Sequence, residues 1–265
     1  MRADPNRPAS DVESLLVRNR LIRAICFAGV FAAVGSALWF ALPAAHAQVP
    51  DPVAADPRHV RLEFENQWVR VFREQMGPHE QMPMHQHPAP GAVVVLLTDR
   101  HNRLTAPDGT AREFTDHAGD LMWSLPSTHR GENLTGAHFE AVQIEPRRPE
   151  GAAAASFKLE PTDATLVDPK HYHVELDNEY VRVLRVTFGP HEKLGRHTHP
   201  QTGAVLVHLT DQNLKLTLAD GTTSEHHYRA GQVRWVAPGP AHQDENLSDA
   251  PLRFIRIELK FARPD

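Results

Sequence analysis

Cysteine is nearly missing from this chain: Cys26 is the only one in 265 residues. It sits in an apolar N-terminal stretch, so disulfides and thiol chemistry are excluded from everything that follows. Positive charge is also short, with 28 basic against 33 acidic residues and a formal charge of −5. That balance offers no electrostatic case for nucleic acid. No segment after residue 47 keeps a 3.6-residue apolar period over a dozen positions, so long helices are not expected. Nothing resembles a nucleophilic triad, a phosphate loop or a nucleic-acid stacking platform.

Hydrophobic residues at 41% and charged residues at 23% are ordinary for a folded globular protein. The 22 prolines and 15 glycines imply many turns, and the unusual count is histidine, at 18.

The N-terminus reads as a targeting segment. Arg18, Arg20 and Arg23 precede a charge-free run from Ala24 to Ala45, and Ala45-His46-Ala47 has the small residues of a cleavage signal. Residues 1–47 are therefore expected to be a secretory signal peptide, or an uncleaved membrane anchor since the run is long enough to span. Either way the rest of the chain is placed across the membrane, exported and periplasmic, with the N-terminal segment as its only membrane contact. Cleavage after Ala47 would leave 23 basic and 30 acidic residues, a charge of −7.

Residues 48–57, rich in Pro, Asp and Ala, read as a disordered leader. From His59 the pattern alternates, with Val60, Leu62 and Phe64 on one face. Ala92–Leu97 is a short apolar run that suits a strand buried on both faces. Asp108-Gly109 and Asp220-Gly221 signal tight primed hairpins. His138–Glu145 and Leu252–Lys260 alternate again. Many short strands divided by turns indicate an all-β sandwich or barrel.

The chain is one module written twice. His85-Gln86-His87-Pro88 returns 112 residues later as His197-Thr198-His199-Pro200. Asn66 to Val71, Gly77-Pro78-His79-Glu80 and Trp123 return at the same offset as Asn178 to Val183, Gly189-Pro190-His191-Glu192 and Trp235. Past Pro126 and Pro238 the offset is 113, and it holds for His129/His242, Asn133/Asn246 and Glu145/Glu258. The expected domains are 58–146 and 166–261, joined by a linker at 147–165.

On a strand, residues i and i+2 point to one side. His85 and His87 thus project together, and so do His197 and His199. A third ligand must come from another strand, and His129 and His242 stand in the right place. Each triplet has the character of a transition-metal site, with His85, His87 and His129 in one and His197, His199 and His242 in the other. Histidines on barrel strands also serve as hydrogen-bonded core residues, but two matching triplets weigh against that reading.

The H-x-H motif followed by P…H-x-x-x-N, present twice, resembles the cupin superfamily, and two copies in one chain resemble a bicupin. The likeness spans residues 58–261 and is nearest to small bacterial cupins that begin with H-x-H-P, some of them labelled β-alanine degradation proteins. It implies two tandem double-stranded β-helix (jelly-roll) barrels, each holding one divalent transition metal, with Fe first and Mn, Zn, Ni or Cu as alternatives. The pattern departs from metal-binding relatives at one point. They carry a glutamate four or five residues after the second histidine, where this chain has Gly91-Ala92 and Gly203-Ala204. Three neutral imidazoles leave the ion its full charge, which favours small anionic bidentate ligands. Within the family, three-histidine iron sites resemble those of thiol, diketone and gentisate dioxygenases.

The function implied is a metal-dependent oxidoreductase of the dioxygenase type acting on a small anionic organic substrate. The alternatives are a non-catalytic periplasmic metal or metabolite binding protein and a metal-dependent isomerase or lyase. Whether the chain is an enzyme, and whether it is a monomer or a homodimer, stays open at this point. Among the other repeated residues, His79 and His191 suit a turn, and Glu80 and Glu192 could supply a carboxylate only if that turn folds inward. Trp123 and Trp235 suit the core, Arg70 and Arg182 a solvated face, and Asn133 and Asn246 the orientation of a loop or a ligand histidine.

Overall fold

The computed structural model describes residues 49–148, 157 and 159–261. The expected signal or anchor at 1–47, Cys26 with it, and the middle of the linker lie outside the described residues.

Each half forms a short helical turn and a two-sheet barrel. In the first half the turn is α1 (Pro52–Ala55), and the strands are β1 (Val60–Glu65), β2 (Val69–Met76), β3 (His85–His87), β4 (Ala92–Leu96), β5 (Arg100–Thr105), β6 (Ala111–Asp116), β7 (Leu121–Ser124), β8 (Ser127–Asn133) and β9 (Phe139–Pro146). One sheet runs β1-β2-β9-β4-β7 and faces a second, β3-β8-β5-β6. The second half repeats this with α2 (Ala164–Val167), β10 (Tyr172–Asp177), β11 (Val181–Phe188), β12 (Ala204–His208), β13 (Gln212–Leu218), β14 (Thr223–Tyr228), β15 (Val233–Val236), β16 (His242–Asn246) and β17 (Leu252–Leu259). Its sheets run β10-β11-β17-β12-β15 and β14-β13-β16. The strand partner of β16 shrinks there to a single bridge, His197 to His242. The fold is all-β, as expected, and the two helices among the described residues are one turn each.

The two-residue side-chain period explains the core. On β2, β4 and β9, Val69, Val71, Val93, Val95, Val142 and Ile144 point outward, and they join Val181, Val183, Val205, Val207, Ile255 and Ile257 of the second half in one buried cluster. The residues between them point into their own barrel: Phe72, Met76, Val94, Leu96 and Ala141 in the first half, and Leu184, Val186, Phe188, Ala204 and Leu206 in the second. Both large sheets are therefore buried on both faces. The unbroken apolar runs on β4 and β12 follow from this, because alternation needs one wet face. Two cross-bonds flank the shared cluster. Arg73 Nη2 donates to Gly231 O (2.5 Å), and its repeat partner Arg185 Nη2 donates to Gly119 O (2.7 Å).

Three local expectations need correction. The leader is ordered from residue 49: the Asp51 carboxylate caps α1 by accepting from Val53 N (3.0 Å), and it pairs with Arg70 (2.8 Å). The repeat in fact starts here, since Asp51, Asp56, Pro57 and His59 return as Asp163, Asp168, Pro169 and His171. The Asp-Gly hairpins have positive φ only at Gly109 and Gly221 (both 87°), so they are not two-residue primed turns. Ala106 N bonds Thr110 O across a longer loop (2.8 Å), and the Asp108 side chain accepts from Thr110 N (2.9 Å). Finally, β1 does not alternate cleanly, because a bulge falls between Leu62 and Phe64.

Candidate metal centres

Strand pairing assembles the triads. His85 and His87 lie two apart on β3, and His85 is directly opposite His129 on β8. In the second half His197 and His242 exchange backbone hydrogen bonds of 2.9 and 3.0 Å. The three rings of the first centre lie 4.7 to 5.2 Å apart by centroid, and those of the second 4.6 to 5.5 Å. In each centre one nitrogen from every ring comes within 4.8 Å of the others. All six residues named from the sequence are thus gathered into two groups of three.

The surroundings aim the rings. His85 Nδ1 donates to Pro83 O (2.9 Å), His197 Nδ1 to Gly195 O (2.8 Å) and His242 Nδ1 to Pro240 O (3.0 Å). His129 Nδ1 is 3.1 Å from Ser127 Oγ. A proton fixed on Nδ1 leaves Nε2 as the free lone pair. Carboxylates stand behind the remaining two rings, with Glu145 3.6 Å from His87 Nδ1 and Glu258 3.2 Å from His199 Nδ1. Burial pushes His85 down to about 4, and burial together with His85 and His87 pushes His129 down to about 3. Burial and Arg256 hold His199 well below its ordinary value, and burial lowers His197. Neutral imidazoles are the form that binds metal. The donor set therefore fits a divalent ion in each half.

No side chain fits without displacement at Gly91 or Gly203. A Cβ added at Gly91 would lie 2.3 Å from Ser124 O and 3.1 Å from the Trp123 ring; at Gly203 it would lie 2.1 Å from the Trp235 ring. The two tryptophans sit in the space a side chain would need, and both also pack against the shared core. Glu80 and Glu192 do not replace the absent glutamate. Each accepts from a backbone N of its own turn, Gly77 or Gly189 (2.6 Å), and faces His59 or His171. His79 and His191 hold the positive φ of that turn, 56° and 55°. Asn133 and Asn246 tie loops, donating to Gly77 O and Ala137 O, and to Gly189 O and Ala250 O.

Two residues that the sequence reading missed make the second centre different. Tyr172 Oη is 3.0 Å from His197 Nε2. Asp244 Oδ2 lies 3.7 Å from His242 Nε2 and 3.9 Å from His197 Nε2. The repeat alignment holds the signal, since the first half has Val60 and Gly131 at these positions. The arginines also differ from expectation. Arg182 is 1% exposed, pairing with Asp163 (2.8 Å) and Glu258 (2.6 Å) rather than with water. Although burial works against it, hydrogen bonding to His199 and the charges of Arg256, His199 and Arg182 hold Glu258 down at about 2.

A cupin domain protein of Bordetella pertussis is 30% identical to this chain, over 34% of it and 91% of the relative's own length, with a TM-score of 0.32. The chain belongs to the cupins. Its paired barrels also share the cupin fold with two other solved proteins. AerE from Microcystis aeruginosa has a TM-score of 0.53 at 16% identity, over 80% of this chain and 97% of AerE. A variant of oxalate decarboxylase from Bacillus subtilis has a TM-score of 0.51 at 12% identity, over 75% and 71%. No family model matches the sequence, and none of the curated proteins does. With a histidine triad in each half, the protein is a metal-binding bicupin.

Proposed function

We propose that this bicupin is an exported metal-dependent oxidoreductase of the dioxygenase type, acting on a small anionic organic substrate. Iron is the first choice of metal. The observation that carries the reading is the neutral donor set, three imidazoles per centre, with glycine at the position where the usual carboxylate would start. A divalent ion held by these imidazoles would keep its whole charge and would supply Lewis acidity toward an anionic substrate and O₂. The chain's own part is to orient and to handle protons. Pro83 O, Gly195 O and Pro240 O fix the ligand rings. On β2 of the first barrel, Glu74 accepts from Gln143 at Oε2 (3.0 Å), and burial raises its pKa, so its other oxygen can hold a proton within the field of His87. Export is supported by Arg18, Arg20 and Arg23 ahead of the apolar run and by Ala45-His46-Ala47.

The test is oxygen uptake by the iron-loaded protein across a panel of small acids and diketones. At least one compound should drive uptake that is lost in His87→Ala/His199→Ala. Full metal with no uptake from any compound would leave the binding-protein or isomerase/lyase readings in its place.

A further inference from the structure

The two barrels are lined differently on the inward face of the large sheet. In the second half Leu206 of β12 stands in register between Arg234 of β15 and Arg256 of β17. The first half has Met122, Val94 and Gln143 at those positions. Beside the second triad the barrel encloses a cavity of about 250 Å³, lined by His199, His242, Arg234 and His208 and by apolar walls that include Leu214 and Phe254.

The two arginines are not equally engaged. Arg256 Nε donates to Glu258 (3.0 Å), which also serves Arg182. Arg234 has no carboxylate partner among the described residues. Its guanidinium lies over the Tyr228 ring (4.5 Å), and its Nε is 3.4 Å from His208 Nε2. The acid whose charge acts on it, Asp244, is next to the triad nitrogens instead. A half-buried guanidinium stays charged and is costly without an anion. His208 is 1% exposed, and with Nε2 turned to Arg234 its proton belongs on Nδ1, which closes no well-formed hydrogen bond. Among the charged residues that line the cavity, two arginines, Arg234 and Arg256, face one carboxylate, Asp244. A cavity of this size sits just below the range that takes drug-sized ligands.

We infer that the second barrel holds a carboxylate-binding site, in which the Arg234 guanidinium pairs with a small organic acid whose hydrocarbon part packs against Leu214 and Phe254. This rests on the metal-dependent reading above and places its anionic substrate in the second half, because the cation beside Met122 in the first half, Arg100, is already paired with Asp116. The two centres are then unequal in the ligands they accept.

The test compares butyrate with its neutral isostere butyramide on zinc-loaded protein, by titration calorimetry, with metal content read on the same samples. Butyrate should bind at least tenfold more tightly than butyramide, and Arg234→Met should lower butyrate affinity at least tenfold with two zinc ions retained. Equal affinities for acid and amide, or unchanged butyrate affinity in the variant, would overturn the inference. Absence of zinc from the wild-type protein would instead contradict the metal reading. Should Arg234→Met fail to fold, a wild-type crystal soaked with 4-bromobutyrate decides. Bromine in the second barrel supports the site, and its absence there contradicts it.

Discussion

Arg182 and Arg70 occupy the same place in the repeat, yet their surroundings assign them different energies. Arg182, Asp163 and Glu258 have side chains 1–2% exposed and close pairs of 2.6–2.8 Å. Arg70 instead makes its close pair with an Asp51 that is 43% exposed and stands 3.7 Å from the buried Glu145. Removing one member of a buried ion pair strands the other in a poor solvent, while a half-exposed partner is rehydrated. Arg182→Ala should therefore cost about 3–5 kcal/mol in urea unfolding and Arg70→Ala clearly less, about 1–2 kcal/mol. Equal losses would contradict this account. A second residue-scale prediction concerns pH. Burial holds His208 down to about 4, below its ordinary 6.5. The unfolded chain thus binds the extra proton first, and stability present above pH 6.5 is lost as pH falls toward 4. His208→Leu, which installs the first half's Leu96, should flatten that loss by up to roughly 3 kcal/mol, measured by urea unfolding at pH 7 and pH 4.5. At this scale the grouping of the six histidines was legible, because spacing and repetition both mark them. Tyr172, Asp244 and Arg234 were not, since each carries its meaning only through its absence from the other copy. Arg182 was misread because alternation with valines looks the same whether the polar face meets water or an ion-paired barrel interior.

Among the elements, the turn between β3 and β4 and its counterpart before β12 depend on glycine for space. Gly91 combines a φ of +118° with backbone in the way of a Cβ, and Gly203 has an indole there. Gly91→Ala should destabilise the protein by at least about 2 kcal/mol, through both strain and displacement of the chain at Ser124. A melting temperature within 1 °C of wild type, on the order of a few tenths of a kcal/mol, would show that the turn yields easily. Strand existence was readable from alternation, and the opposition of His85 and His129 was implied by the need for a third ligand on another strand. Turn geometry was less readable. Asp-Gly fits several loop lengths, and the loop at 106–110 is set by the Thr110 hydrogen bonds as much as by Gly109. The ordering of α1 by Asp51 and Arg70 is a long-range contact that local composition does not reveal.

For the whole molecule, the decisive feature is the core shared between the halves. Val69, Val93 and Ile144 pack with Val181, Val205 and Ile257, so neither half can unfold without exposing the other's outward face. Thermal unfolding should be one cooperative transition by both calorimetry and circular dichroism, and two resolved transitions would contradict a common core. The repeat foretold two barrels, and the runs Ala92–Leu96 and Ala204–His208 hinted at burial on both faces, but which surface covers the second face is a tertiary fact. The central claim is one divalent metal in each barrel, held by three histidines. Metal analysis of purified protein tests it most directly. Wild type should carry two ions per chain, His87→Ala one, and His87→Ala/His199→Ala none; full metal in the double variant would contradict the claim.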